Sequence, residues 1–251
     1  MTPPTFYGLK NYERLVTDTK FMKALFNTLK LMVMIVPLQM ILSLIVSVFL
    51  VSHRHMLIGK IANSVIFIPV LCSNAATGVI WRELLNGKIP AVETFFGLFG
   101  IKASMLLGNA KTALAVVAAV AIWKMLGYYV VIYSSGLLGI SESFYEAAKV
   151  DGASTWKTYW SIVFPIMKPM HATVAVLTAM STWNDVMTPL VIMSGTGKNT
   201  LPLAQLNFQT QFGTNYNLAF ASYLLALLPI LIFYLICQKQ IINGVVNGAV
   251  K

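Results

Sequence analysis

Asp185 is the one carboxylate inside a long apolar run of this 251-residue chain, directly after Trp183 and Asn184 and eight residues before the run ends at Met193. An ionisable residue in such a run is a candidate functional site by default. The triplet has two readings. An aromatic face that stacks on a ring, with amide and carboxylate groups for hydroxyls, suits a polar solute. Alternatively Asp185 reaches an interface or bonds a neighbouring helix, and Trp183 is an interfacial anchor. Asn74, Thr77 and Gln39 lie in other apolar runs and divide the same way, between solute contact and bonds between helices. His53 and His55 flank Arg54, and His171 stands alone; no third ligand is adjacent, so no metal is expected. Cys72 and Cys237 show neither metal spacing nor a disulfide framework and read as small buried apolar residues. Gly195-Thr196-Gly197-Lys198-Asn199 lacks the spacing and the terminal Ser or Thr of a phosphate-cradling loop. No nucleophile–base constellation or carboxylate pair stands out. The chain is therefore read as a non-enzyme that carries no cofactor of its own.

The elements that must position these residues are membrane helices. Residues are 57% hydrophobic and 10% charged, with a mean hydropathy of +0.74, whereas a soluble domain carries about 25% charged residues. Five runs approach the ~20 residues that cross hydrocarbon as a helix: Leu29–Val51, Ile61–Trp81, Ala113–Tyr133, Thr173–Met193 and Ala219–Cys237. Unpaired backbone groups in lipid cost several kcal/mol, and the runs lack the alternation of barrel strands. The expected fold is all-α and polytopic, one transmembrane domain over 1–251 with about five spans. The net charge of +10 comes from 18 Lys and Arg scattered singly along the chain. That pattern fits membrane-flanking cations and lipid contact, not a nucleic-acid surface. Residues 1–28 do not have the charged start and apolar core of a signal peptide.

Between the third and fourth runs lies a polar stretch, about 141–165, broken by glycine. Ser143-Phe144-Tyr145-Glu146 fits a capping box. Ala147 and Ala148 favour helix and leave a thin face for close packing. Asp151-Gly152 reads as a helix stop, with a second short helix from near Ser154. Pro165 and Pro169 mark the entry to the next span. On its own this is a solvated loop between helices.

The stretch Tyr145-Glu146-Ala147-Ala148-Lys149-Val150-Asp151-Gly152-Ala153, with Trp123-Lys124, Gly127, Gly136-Leu137, Ile140, Trp156, Ile162 to Pro165 and Pro169, resembles the "EAA loop" region of bacterial binding-protein-dependent ABC-importer permeases of the carbohydrate type. The likeness extends over nearly the whole chain. Phe6, Gly8-Leu9, Asn11-Tyr12, Phe21, Ala24-Leu25 and Asn27-Thr28 resemble the family's external segment and second-helix entry. Phe67-Ile68-Pro69, Ser73 and Trp81 resemble the following helix, with a kink expected at Pro69. Trp183-Asn184-Asp185, Pro189-Leu190 and Leu201-Pro202-Leu203 resemble the penultimate helix and the stretch after it. Gln238 and Gly244 to Lys251 resemble the tail of one permease type, while the N-terminal part looks more like the other.

The resemblance implies a subunit that forms half of a path for a sugar or oligosaccharide in the bacterial cytoplasmic membrane. Glu146, Ala147, Ala148, Asp151, Gly152 and Ala153 would dock into an ATPase, and Trp183, Asn184, Asp185 and Asn74 would line the path. The implied partners are two ATPase subunits that bind ATP and magnesium, a second permease and an extracytoplasmic solute-binding protein. With the loop and C-terminus cytoplasmic, 1–28, 82–112 and 194–218 face outward, yet Lys10, Arg14, Lys20, Lys23, Arg82, Lys88, Lys102, Lys111 and Lys198 then lie outside, against the positive-inside tendency. Family members usually begin with one further helix, so a truncated or misassigned start is expected to explain this conflict. The competing reading is an ion-coupled secondary transporter built on Asp185.

Overall fold

A computed structural model describes residues 8–109, 112–210, 213–214 and 216–249. Phe6, Lys111, Val250 and Lys251, which figured in the sequence reading, lie outside the described residues. The architecture is helical: α1 (Lys10–Thr17), α2 (Thr19–Ser52), α3 (Leu57–Leu71), α4 (Asn74–Leu84), α5 (Pro90–Gly97), α6 (Ala103–Gly108), α7 (Ala113–Leu138), α8 (Glu142–Val150), α9 (Thr155–Thr158), a π turn (Tyr159–Val163), α10 (Phe164–Ile166), α11 (Lys168–Asn184), α12 (Met187–Ile192), α13 (Leu201–Gln205) and α14 (Tyr216–Ala249). A two-residue antiparallel pair, β1 (Gln209–Thr210) and β2 (Gly213–Thr214), precedes α14. Three stretches are long and apolar enough to span a membrane: Thr19–Ser52, Ala113–Leu138 and Tyr216–Ile241. The bent pairs α3 with α4, and Thr155–Ile166 with α11, bring the number to five if each is one span. The polytopic all-α expectation is borne out.

Two expected spans are not continuous helices. Ile61–Trp81 breaks after Leu71, beyond the kink expected at Pro69. Ser73 takes an extended conformation, and its hydroxyl accepts from the Ala76 amide at 3.1 Å. Such a cap is worth about 1 kcal/mol and lets a new helix start within the apolar run. Thr173–Met193 begins earlier, at Lys168, and ends at Asn184; Met187–Ile192 is a separate helix. Asp185 sits at that break, and its carboxylate accepts from the Thr188 amide at 3.2 Å.

The chain divides into two compact units, drawn from Met1–Met34, Ser73–Ala121 and Met180–Ile232, and from Ile35–Cys72, Ile122–Ala179 and Phe233–Lys251. In the first, Leu15, Phe21, Trp183, Leu201, Leu218 and Ala221 form the core. α12 lies against α4, where Gly78 leaves only 3.0 Å between a would-be Cβ and Val191. Thr28, fully buried, accepts from the Leu201 amide at 2.7 Å, and the Asn27 amide group donates to the Asn199 carbonyl at 3.0 Å. Two polar residues on α2 thus hold the loop ahead of α13.

In the second unit α7 is the central element. The buried Ser47 hydroxyl on α2 donates to the Val130 carbonyl at 3.0 Å. Gly127 meets the α3 backbone so closely that a Cβ would lie 2.9 Å from the Ile66 carbonyl carbon, and at Gly136 a Cβ would lie 2.7 Å from Met170. Small residues at helix contacts are how membrane helices approach closely where no hydrophobic drive separates lipid from side chain. Tyr129, Tyr133, Leu137, Ile140, Val163, Met167 and Val174 fill the remaining space.

Outside the spans, Glu93 on α5 accepts from the amides of Ser104 at 2.9 Å and Ala103 at 3.1 Å, at the start of α6. The Ser104 bond chiefly holds this exposed carboxyl below its ordinary value of 4.5.

Two outcomes follow from this packing. Gly127→Ala lowers the melting temperature of the detergent-purified protein, corresponding to about 1–3 kcal/mol of overpacking. Gly97→Ala, whose methyl meets nothing within 4 Å, leaves it unchanged; a thermal melt followed by size-exclusion chromatography compares the two. A depressed carboxylate contributes stability at pH above its unfolded value and loses it as the pH falls through its folded value. Protection of the Ala103 and Ser104 amides against hydrogen exchange, corrected for intrinsic rates, is therefore present at neutral pH and lost below pH 4.5. Glu93→Gln, which keeps one acceptor oxygen of the two, loses it at one of these amides at neutral pH.

Candidate functional site

The polar stretch after α7 folds into two short helices, α8 and α9, joined by a tight glycine turn into a helical hairpin. Ser141, with φ −62° and ψ 138°, caps α8 by accepting from the Ser143 amide. The cap lies two residues before the expected Ser143, which is inside the helix and shares a 2.8 Å hydroxyl–hydroxyl bond with Ser141. The predicted capping box is thus corrected: Ser141 has the extended backbone that a cap needs, and Glu146 stands exposed in mid-helix.

The stop occurs where the sequence placed it. Gly152 has φ +67°, a left-handed conformation that strains any residue with a Cβ. Its amide donates to the Lys149 carbonyl at 3.1 Å, and the Ala153 amide reaches the Ala148 carbonyl at 2.9 Å. This pair of bonds is the Schellman closure. Ser154 then caps α9, accepting from the Lys157 amide at 3.3 Å. Two caps and one closure therefore fix the turn between α8 and α9.

Of the residues singled out here, Ala148 is buried and Ala153 half-buried, while Glu146, Ala147, Asp151 and Gly152 are exposed. The outer surface also carries Val150, 88% exposed, and Trp156, 72% exposed. A Cβ at Gly152 would meet nothing within 4 Å, so the tip of the reversal is open. Burial raises the Tyr145 hydroxyl above its ordinary 10.0, which keeps it neutral and able to donate.

After α9 the backbone widens: the Phe164 amide bonds the Tyr159 carbonyl, five residues back. Pro165 supplies no N–H to Ser161, and its ring crowds that carbonyl; the π turn accommodates both. Pro169, near the start of α11, supplies none to Pro165. Thr155–Ile166 and α11 consequently meet at a 66° bend around Met167.

The second candidate group is dispersed. Trp183 is buried, with its indole N–H donating to the Ala226 carbonyl at 3.1 Å. Asn184 is exposed and donates to the Met180 carbonyl at 2.9 Å. These two residues line a cavity of about 180 Å³ with Gln205, Tyr223 and Pro202. Asp185 and Asn74 do not line it; Asp185 lies just ahead of α12 and accepts from the Thr188 amide, and Asn74 is exposed in the first turn of α4. Gln39, fully buried, has neither amide atom bonded among the described residues, and the Thr77 hydroxyl is likewise unbonded. Lys124 is buried. The sequence reading passed over Gln205 and Tyr223, which lie in no recognised motif and meet Trp183 only through the fold.

A family model described as "Binding-protein-dependent transport system inner membrane component" matches residues 19–246. The multiple sugar-binding transport system permease protein MsmG of Streptococcus mutans is 47% identical over 115 residues, covering 45% of this chain and 42% of that protein. The chain thus spans less than half of MsmG's length. The multiple sugar-binding transport system permease protein MsmF of the same organism is 29% identical over 213 residues, 84% of this chain and 72% of that protein. Among solved structures, a chain of a bacterial alginate ABC transporter, in complex with its alginate pentasaccharide-bound periplasmic protein, superposes with a TM-score of 0.80. That match covers 92% of this chain and 81% of the other at 18% identity, a likeness of fold. With α2 through most of α14 inside the matched region, the chain belongs to the family of binding-protein-dependent transport system inner membrane components.

Proposed function

We propose that this chain is a permease subunit of an ATP-driven ABC importer, forming half of the path for a sugar or oligosaccharide. The observation that carries this reading is the hairpin of α8 and α9. Its α8 lies outside the apolar spans and presents Glu146 and Val150 on an open surface, and the exposed Trp156 follows at the start of the bent pair of Thr155–Ile166 with α11. Exposed apolar groups beside a carboxylate suit a protein partner better than water. That partner would be an ATPase, two copies of which hold the ATP and magnesium, since the hairpin supplies contact and no nucleotide chemistry. Rigid-body movement of the hairpin would then switch the path between inward- and outward-facing. The hairpin and C-terminus face the cytoplasm in this arrangement.

The sugar class is supported by the names of MsmG and MsmF and by the alginate transporter that shares the fold. MsmG and MsmF are both permease proteins of a multiple sugar-binding transport system in one organism, which supports pairing with a second, different permease. A solute-binding protein would deliver the sugar to the outer face. The Trp183–Asn184 cavity, about 180 Å³, is smaller than the roughly 300–1,000 Å³ of small-molecule pockets and does not hold a sugar by itself.

Tagged protein purified in mild detergent from its native background tests the proposal. Wild type retains an ATPase and a second permease. Gly152→Trp loses the ATPase and keeps the second permease, because the indole projects from the open tip. Gly152→Asn, which tolerates the left-handed backbone, keeps both. Wild type that purifies alone, or Gly152→Trp that still retains the ATPase, overturns the assignment.

A further inference from the structure

Between α11 and α7 lies a buried polar bond that no cap or helix ladder requires. His171, on the first turns of α11, and Tyr133, on α7, are 9% and 0% exposed, and His171 Nδ1 lies 3.0 Å from the Tyr133 hydroxyl. The His171 ring also stacks at a tilt on Phe164, with centroids 4.8 Å apart. Phe164 in turn meets Tyr159 at 6.3 Å and Trp160 at 5.0 Å. His171 therefore touches both α7 and the segment that leads out of the hairpin, from a position beyond the bend.

The helix ladder is thinned at that bend. Pro169 removes the bond to Pro165 across it and Pro165 the bond to Ser161 just before it, while the Met167 and His171 amides keep theirs to Val163 and Met167, so the backbone is a weakened link. Apolar contacts such as those of Val163 and Met167 resist separation but allow sliding, whereas a hydrogen bond fixes direction. Nor is stability a sufficient account. His171 Nε2 is buried and meets no partner among the described residues, a cost that a leucine at this place would avoid.

We propose that His171, bonded to Tyr133, is a positioning residue that ties the hairpin's exit segment to α7. Displacement of α8 and α9 then reaches α11 and α7 together and is not absorbed at the Met167 bend. This rests on the coupling role proposed above for the hairpin.

The test uses the complete complex in nanodiscs and compares hydrogen exchange with and without ATP and vanadate. In wild type, trapping changes exchange in both 142–158 and 168–176. In Tyr133→Phe, which removes one oxygen and keeps the ring, the change in 142–158 persists and that in 168–176 falls roughly two- to thirtyfold, the range of mutational effects on coupling. His171→Leu behaves the same way, and the double variant is no worse than either single one. His171→Asn, whose amide overlays the Nδ1 position, recovers most of the response. A purely structural role would instead raise exchange equally in both states and leave the response to trapping intact; that result, or additive losses in the double variant, overturns the proposal. If wild type shows no change in 142–158 on trapping, the coupling role of the hairpin fails, and this inference with it.

Discussion

A backbone amide inside hydrocarbon has no water to bond. Every helix break within a span must therefore satisfy its own freed groups, at a cost of several kcal/mol for each one left unpaired. The local structure of this chain follows from that constraint. Where the second apolar run breaks, Ser73 bonds the Ala76 amide; where the fourth breaks, Asp185 bonds the Thr188 amide. Proline in the first turns of α5 and α13 falls where no donor is needed, whereas Pro37, Pro69 and Pro229 stand inside α2, α3 and α14 and each remove one ladder N–H. Polar residues that look like solute ligands are partly committed to this work before any solute arrives.

The same constraint shapes how helices meet. With lipid as apolar as any side chain, contact depends on close approach and on directed polar bonds. α7 uses both: Gly127 against the α3 backbone, Gly136 against Met170, the Ser47 bond to Val130, and Tyr133 to His171. Contacts of this kind have little room for gradual deformation, so the unit built around α7 is suited to moving as a body. The hairpin of α8 and α9 gains its own rigidity differently, from two serine caps and the Gly152 closure. A stiff lever attached to a closely packed unit is the physical content of the proposed coupling.

Much of this was legible in the residues. Apolarity marked the spans because hydrocarbon admits little else, and Gly152 marked the stop because a left-handed turn excludes most other residues. The breaks at Cys72 and Asp185 were not legible, since apolarity continues across both and the stopping point depends on which side chain takes the cap. The choice of Ser141 over Ser143 turned on backbone conformation, although only Ser143 has a glutamate three residues on. Tyr133 and His171 are 38 residues apart and share no periodicity, so only the fold brings them together. Trp183 lines a cavity, but its indole N–H is already committed to Ala226, and its companions Gln205 and Tyr223 come from elements that a local pattern does not connect.

The account's central claim is that ATP hydrolysis on a partner, delivered through the hairpin, drives solute through a path that this chain half-forms. The most direct test is uptake of radiolabelled maltooligosaccharides and raffinose into proteoliposomes that contain the purified complex and the binding protein, with ionophores present to collapse ion gradients. The account predicts uptake that requires ATP on the hairpin side and is indifferent to the ionophores. Uptake that proceeds without ATP and stops when the ion gradients are collapsed would contradict it.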